Sequence, residues 1–294
     1  MAAKRPIIRL KPREGRRVRA GAPWAFSNEI TMDAAVKALP PGTEVQLADE
    51  GGAVIGAGYF NPKSLIAIRL LAPPETKIDR DFFVAKFRRA LGLRTRFFDR
   101  PFYRLVHAEG DGLPGLVVDR FDETCVVQVT TAGMERLTDT MLDALDAAAA
   151  PQNVILRNDT PSRALEGLDS YVRAAKGAAP ERLAVEENGA RYFADPKGGQ
   201  KSGWYYDQRD NRLALAQLAK GARLLDAYCY SGGFGVLAAK HGASEATLVD
   251  SSEPALKLAA EAAEANGVAA RCRFVKSDAF EALERFAREE KKFD

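Results

Sequence analysis

The stretch Leu224-Leu225-Asp226-Ala227-Tyr228-Cys229-Tyr230-Ser231-Gly232-Gly233-Phe234-Gly235 decides the fold of the C-terminal part of this protein. An apolar strand runs into an acid, the acid into a glycine-rich turn, and the turn into a helix. In open α/β sheets, ligands bind outside the carboxyl ends of strands at turns of this kind. Glycines there let the backbone approach a ligand where a β-carbon would collide. The stretch is not the dinucleotide fingerprint, because it holds no G-x-G-x-x-G and Asp226 stands where a pyrophosphate needs an open turn. A carboxylate repels a pyrophosphate but suits a cationic amino group. A dinucleotide oxidoreductase therefore fits poorly.

Downstream, strand and helix alternate: Arg223–Ala227, Gly235–Lys240, Ala246–Asp250, Glu253–Asn266, Arg273–Ser277 and Ala279–Glu290. This alternation predicts a parallel sheet wound with crossover helices. Asn266-Gly267 supplies a helix stop. Asp250 ends the second strand, 24 residues after Asp226, and Asp278 follows the third. An acid at the second position can accept hydrogen bonds from ribose hydroxyls, and one at the third from an adenine amino group. Any one of them could instead cap a helix. Acids at three consecutive strand ends point to a nucleoside–amino-acid cofactor. Upstream, Gln208–Leu218 reads as a helix, and Leu183–Glu186 with Ala190–Ala194 as a hairpin across Asn188-Gly189.

The N-terminal part has a different texture. Ile7–Leu10, Glu44–Ala48, Val54–Tyr59 and Leu65–Leu70 read as strands, separated by Pro40-Pro41-Gly42, Glu50-Gly51-Gly52 and Asn61-Pro62. They predict a small β-barrel over residues 1–75, closed by the linker Pro73-Pro74. A helix over Asp79–Phe98 follows. After it come strands Phe102–Val106, Gly115–Phe121 and Thr124–Thr130, a helix over Glu135–Ala150 and a strand at Val154–Arg157. These elements predict an α+β domain over 76–178, which leaves 179–294 for the parallel sheet. Within the α+β part, His107, Glu109, Asp111 and Asp119 read as polar residues of hairpin turns rather than a catalytic cluster, since Asp-Gly is itself a turn dipeptide.

Composition bounds the function. Of 294 residues, 46% are hydrophobic and 28% charged, an ordinary globular balance. No apolar run approaches the ~18–20 residues needed to cross a bilayer, and the basic N-terminus lacks the apolar core of a signal peptide, so no membrane association and a cytoplasmic location are expected. Cys125, Cys229 and Cys272 are odd in number and far apart, and there are two histidines, so neither a disulfide framework nor a metal centre is expected. The net charge of +3 is unevenly spread. Lys4 to Arg19 holds eight basic residues against Glu14, and Lys86 to Arg104 holds seven against Asp99. Either stretch alone could be a solvated face. Two of them outside the cofactor part point to a phosphate backbone as partner. The sequence carries no sign of oligomeric state.

The cofactor stretch, with Asp250 and Asp278, resembles the motifs of class I S-adenosylmethionine methyltransferases. Gly199-Gln200-Lys201-Ser202-Gly203-Trp204-Tyr205-Tyr206-Asp207-Gln208-Arg209-Asp210-Asn211-Arg212 is similar to a narrower signature. It resembles the bacterial 23S ribosomal RNA 5-methylcytosine methyltransferases, the large subunit methyltransferase I family. The resemblance extends over nearly the whole chain. Residues 1 to about 75, with Gly21-Ala22-Pro23-Trp24-Ala25-Phe26, resemble that family's PUA domain, and His107 to Leu116 its central domain. It implies an N-terminal PUA-like β-barrel that binds RNA, a central α+β domain, and a C-terminal Rossmann-like methyltransferase sheet that is incomplete in this chain. It also implies S-adenosylmethionine as cofactor and 23S rRNA as partner. By similarity, Asp226, Tyr228, Ser231, Gly232 and Gly233 line the methionine part of the cofactor, with Gln208 and Arg209 closing that end. Asp250 and Ser251 take the ribose, and Asp278 and Ala279 the adenine. For Arg209 a surface ion pair is an equal alternative. Trp24 reads as a barrel core residue.

Cytosine becomes reactive at C5 only after a thiolate adds at C6, so the implied reaction needs a cysteine nucleophile. In the family, an Asp-Pro-Pro motif follows the fourth strand of the sheet and the catalytic cysteine a later one. Both are expected beyond Asp294, where the fourth strand should begin, so the sequence is read as a fragment and no catalytic residue is assigned. Cys229 reads as a small packed residue of the cofactor turn. Three strands alone should leave the first strand with an unpaired apolar edge. Two further readings stay open: a PUA-bearing module that binds RNA and cofactor without catalysis, and a methyltransferase acting on guanine or another RNA.

Overall fold

A computed structural model describes residues 5–294; Lys4 of the first basic stretch lies outside them. The chain divides into two compact units, Met1–Ala179 and Pro180–Asp294. No helix is long and apolar enough to cross a membrane among the described residues.

The first unit opens with β1 (Ile7–Arg9), α1 (Arg16–Arg19), β2 (Trp24–Ala25), α2 (Ala34–Lys37), β3 (Thr43–Ala48), β4 (Val54–Phe60) and β5 (Ile68–Ala72). The strands form one sheet in the order β1-β3-β4-β5-β2, with β1 parallel to β3 and the other pairs antiparallel. Ile8, Leu10, Val45, Leu47, Phe60 and Ile68 fill its core. The strand expected at Leu65–Leu70 starts later. Leu65 is 70% exposed, and Asn61 holds the preceding turn by accepting the Lys63 N–H at 3.0 Å. Trp24 is also not a core residue. It lies half-buried at the sheet edge, and its indole N–H donates to Glu109 at 3.0 Å.

The unit continues with α3 (Arg80–Arg94), β6 (Phe102–His107), β7 (Leu116–Phe121), β8 (Thr124–Val129), α4 (Ala132–Arg136), α5 (Thr138–Ala149), β9 (Asn153–Asn158), α6 (Ser162–Leu165) and β10 (Tyr171–Lys176). These strands pair in the order β10-β9-β8-β7-β6, with β8 and β9 parallel. Asp79 caps α3 by accepting the Phe82 N–H at 3.2 Å. The helix ends at Arg94 instead of Phe98, and the helix expected from Glu135 begins at Ala132 and breaks at Leu137. Strand β10 has no counterpart in the sequence reading. It is an edge strand with one partner and no buried residue, so it lacks the apolar alternation that marks a strand.

Tyr59 and Leu71 of the barrel sheet pack in one core with Phe83, Phe87, Leu105, Val127 and Met141. The Tyr59 hydroxyl bonds the Pro114 carbonyl at 2.6 Å and the Thr131 hydroxyl at 2.8 Å. Ala57, Tyr59 and Leu71 thus tie the barrel sheet to the central core, while the barrel keeps the separate core described above.

In the second unit, β11 (Leu183–Glu187) and β12 (Ala190–Ala194) form the expected hairpin. Asn188 (φ 53°) and Gly189 (φ 70°) are both left-handed, as a type I′ turn demands. The chain then runs through α7 (Arg209–Leu218), β13 (Arg223–Ala227), α8 (Gly233–Lys240), β14 (Glu245–Asp250), α9 (Glu253–Ala265), β15 (Cys272–Lys276) and α10 (Ala279–Arg288). The sheet is parallel throughout, in the order β13-β14-β15. Among the described residues β13 pairs with one strand, β14. Beside its other edge, the Asp294 N–H donates to the Arg223 carbonyl at 3.0 Å and the Asp294 carboxylate accepts the Arg223 N–H at 2.9 Å.

Candidate cofactor site

The parallel sheet delivers Asp226, Asp250 and Asp278 at or just beyond the carboxyl ends of three neighbouring strands. The Asp226 carboxylate is buried and accepts the Gly235 N–H at 2.8 Å. Burial pushes its pKa up to about 6, against the opposing pull of that N–H and of the Arg212 guanidinium. Asp250 ties two turns together: it accepts the Tyr230 N–H at 2.8 Å and the Ser252 N–H at 2.9 Å. Asp278 caps α10, accepting the N–H groups of Phe280 at 2.8 Å and Glu281 at 3.3 Å. All three acids thus also do backbone work. Ser251 is exposed beside Asp250, and Ala279 is buried beside Asp278.

The turn after β13 is strained. Tyr228 (φ 62°) and Tyr230 (φ 50°) both adopt the left-handed conformation, which costs a non-glycine residue about 1 kcal/mol or more. Backbone ties hold it in place, the Cys229 N–H donating to the Val249 carbonyl at 3.0 Å. The glycines also serve packing. A β-carbon on Gly233 would come within 2.4 Å of Arg212 Nε, and one on Gly235 within 2.7 Å of the Leu248 side chain. Gly232 additionally sits at φ 81°.

A cavity of about 390 Å³ opens beside this turn, a size within the usual range for small-molecule sites. Of the residues expected at the cofactor, Gln208, Tyr228, Ser231 and Gly233 line it. Asp226, Gly232, Asp250, Ser251, Asp278 and Ala279 are not among its walls, and neither is Arg209. Arg209 pairs with Glu187 at 3.3 Å, an ion pair to a buried carboxylate and not one at the surface.

The sequence reading gave no role to Glu187 and Arg212. Glu187, the last residue of β11, is buried and receives Arg212 Nη1 at 2.7 Å and Trp204 Nε1 at 3.2 Å. The Arg212 guanidinium lies 4.2 Å from the Trp204 ring centroid and forms part of the cavity wall. The one available signal was the spacing Arg209-x-x-Arg212, which puts both arginines on one helical face.

One feature of the cavity and one residue behind it fit a nucleoside–amino-acid cofactor. The Ser231 hydroxyl is buried in its wall with no hydrogen-bond partner among the described residues, a deficit of about 1–3 kcal/mol that a ligand's polar atom would relieve. Behind the same turn, the Asp226 carboxylate offers charge to a cationic group.

No cysteine among the described residues is prepared for nucleophilic attack, which needs a thiolate. Burial pushes Cys125 up to about 12 and Cys272 up to about 11. It raises Cys229 further, with help from Asp226 and Asp250. The four polar residues of the central hairpins are structural. Arg94 grips Asp111 through two hydrogen bonds of 2.8 and 2.7 Å, Asp111 accepts the His107 N–H at 2.6 Å, and Arg104 grips Asp119 at 2.8 and 3.0 Å. Glu109 faces Trp24 and Arg69.

The fold is that of S-adenosylmethionine-dependent methyltransferases. It superposes with a TM-score of 0.83 on a protein of Streptococcus mutans assigned to that class, at 21% identity over 98% of this chain and 75% of that one. A second protein, assigned as a methyltransferase and solved with SAH, gives 0.83 at 20% identity over 99% and 74%. A family of PUA-like domains matches residues 8–73, and the family described as conserved hypothetical protein 95 matches 211–294. The chain is 36% identical over 296 residues to the ribosomal RNA large subunit methyltransferase I of Photobacterium profundum, covering 98% of this chain and 74% of that protein. The enzyme of the same name from Alteromonas mediterranea is 34% identical over 290 residues, covering 97% and 72%. This chain belongs to the ribosomal RNA large subunit methyltransferase I family.

Proposed function

We propose that this protein transfers a methyl group from S-adenosylmethionine to ribosomal RNA, at C5 of a cytosine in 23S rRNA. The observation that carries the reading is the strained turn between Asp226 and Gly235, with its unsatisfied Ser231 hydroxyl, in a chain of this family. The cofactor supplies an activated methyl group. The chain's own residues bind and orient it. Asp226 is the counter-charge for the amino group of the methionine moiety, while Ser231 and Gln208 hydrogen-bond its polar atoms. Tyr228 covers it from the solvent side. Asp250 and Ser251 receive the ribose hydroxyls, and Asp278 and Ala279 meet the adenine. Arg209 and Arg212, both anchored on Glu187, position α7 and hence Gln208.

Three regions share the work in this reading: a barrel to about residue 75 and a central part to about 178 engage RNA, and residues from 179 hold the cofactor. The target base would have to leave its stack to reach a methyl group held at the sheet edge. No nucleophile is assigned to Cys125, Cys229 or Cys272.

Methyl transfer by the full-length gene product tests the reading. Labelled S-adenosylmethionine should mark unmodified 23S rRNA, and nuclease digestion should place the label on 5-methylcytosine. Label on guanine would move the target while keeping the cofactor. No transfer, with tight cofactor and RNA binding retained, would favour a binding module.

A further inference from the structure

The basic stretch from Lys86 to Arg104 is not uniform once folded. Two of its arginines are spent on the fold: Arg94 on Asp111 and Arg104 on Asp119. Arg88, Arg89 and Arg96 are exposed, and their side chains make no hydrogen bond or ion pair with any described residue. With Lys86 they surround a cavity of about 540 Å³, closed on its far side by the turn at Gly110 and Gly112.

That turn is shaped around the lysine. Gly112, at φ 67°, leaves space in which a β-carbon would stand 2.7 Å from Lys86 Nζ. The one acid in the wall, Asp111, is already matched by Arg94. Lys86 is half-buried, and desolvation together with Arg89 lowers its pKa against the opposing pull of Asp111. Four cations converging on a cavity with no free carboxylate repel one another unless an anion sits among them. Lys86, Arg88 and Arg89 sit on α3 and Arg96 in the turn just past its end at Arg94, which spreads the charge over the last ~12 Å of the helix, at about 1.5 Å per residue, and the turn beyond it. A single small anion would use part of that length, whereas two or three successive phosphates of a strand would use all of it.

We infer that Lys86, Arg88, Arg89 and Arg96 form a phosphate-backbone cradle that holds the substrate RNA against the central domain. The inference rests on the RNA reading above. It adds a second contact surface, on α3, to the one expected from the PUA-like barrel. The contacts are to phosphates and carry no base specificity, so they position the strand and leave the choice of target to other elements.

The test uses the full-length protein and a 23S rRNA fragment, with affinity measured by fluorescence anisotropy across a salt series. The triple variant R88Q/R89Q/R96Q removes three exposed charges whose side chains make no hydrogen bond or ion pair with the described residues. The slope of log affinity against log salt should fall by about 2, at ~0.7 per phosphate on a single strand, and low-salt affinity by about 10- to 100-fold. Binding of S-adenosylhomocysteine, followed by calorimetry, should stay unchanged. R94Q, by contrast, should lower the melting temperature. Wild-type protein that binds RNA with a triple variant of equal affinity and equal slope would overturn the cradle alone. Wild-type protein that binds no RNA would overturn the RNA reading with it.

Discussion

Asp226 is held by the fold in a place that a carboxylate dislikes, and this has consequences of a definite sign. Its pKa is about 6 in the folded chain against an ordinary 3.8. The folded state therefore binds the proton more tightly than the unfolded state does, and stability contributed by this group falls as pH rises from about 4 to about 6, then stays flat. Ionisation above that window costs on the order of 2–3 kcal/mol in the ligand-free protein. Asp226→Asn removes the cost and keeps an acceptor for the Gly235 N–H. The ligand-free variant should melt several degrees higher than wild type at pH 7.5 and equally at pH 4. Its affinity for S-adenosylmethionine should fall by tenfold or more, since the counter-charge is gone. Wild-type affinity should weaken about tenfold per pH unit below 6. A variant that is destabilised at pH 7.5, or that binds the cofactor normally, would show that the carboxylate is a cap and nothing else. Ser231→Ala is the milder companion. It removes a hydroxyl with no partner among the described residues, so it should leave the ligand-free melting temperature level and weaken cofactor binding by about 3- to 10-fold, one neutral hydrogen bond.

At the scale of elements, β11 and α7 are joined through one buried carboxylate. Glu187 receives Arg209, Arg212 and Trp204, and Arg212 presses on the turn through Gly233. Glu187→Ala strands two arginines, one of them buried, and breaking a buried pair costs about 3–5 kcal/mol. Equilibrium denaturation should register that loss, and cofactor affinity should drop with it because Gln208 immediately precedes α7. An effect below about 1 kcal/mol would mean that the network is solvated in solution. This network also marks the boundary of what the sequence could reveal. The strand–acid–glycine order of residues 224–235, and the acids spaced after it, identify a local connection that one stretch of chain makes by itself. The pairing of Glu187 with Arg212 spans 25 residues and a change of element, and no local pattern announces it. Edge strand β10 escaped for a related reason: a strand without a buried face has no alternation to read. The close packing of Gly233 on Arg212 and of Gly235 on Leu248 is equally non-local, and the glycine pattern alone does not announce it.

At the scale of the whole molecule, the first unit binds barrel and central sheet into one body through Tyr59. Its ring lies so close to Gly133 that a β-carbon there would overlap it at 1.9 Å, and its hydroxyl reaches Pro114 and Thr131 across the shared core. A barrel held by its own core alone, without Tyr59 and Leu71 reaching into the central one, would unfold independently, and its amides would exchange sooner than those of the central sheet. A shared core instead predicts that amides of β4 and of β6 to β8 exchange with the same free energy of opening, measured by hydrogen exchange on the intact protein. Tyr59→Phe leaves the buried Thr131 hydroxyl and Pro114 carbonyl without that partner, at a cost of about 1–3 kcal/mol. That cost should appear equally in the barrel strands and the central strands. The second unit, Pro180–Asp294, supplies the internal control: protection in β13 and β14 should respond to S-adenosylhomocysteine and not to the Tyr59 substitution. If Tyr59→Phe lowers protection in β4 alone while β6 to β8 are untouched, the barrel is an autonomous module and the core at Tyr59 is only an interface.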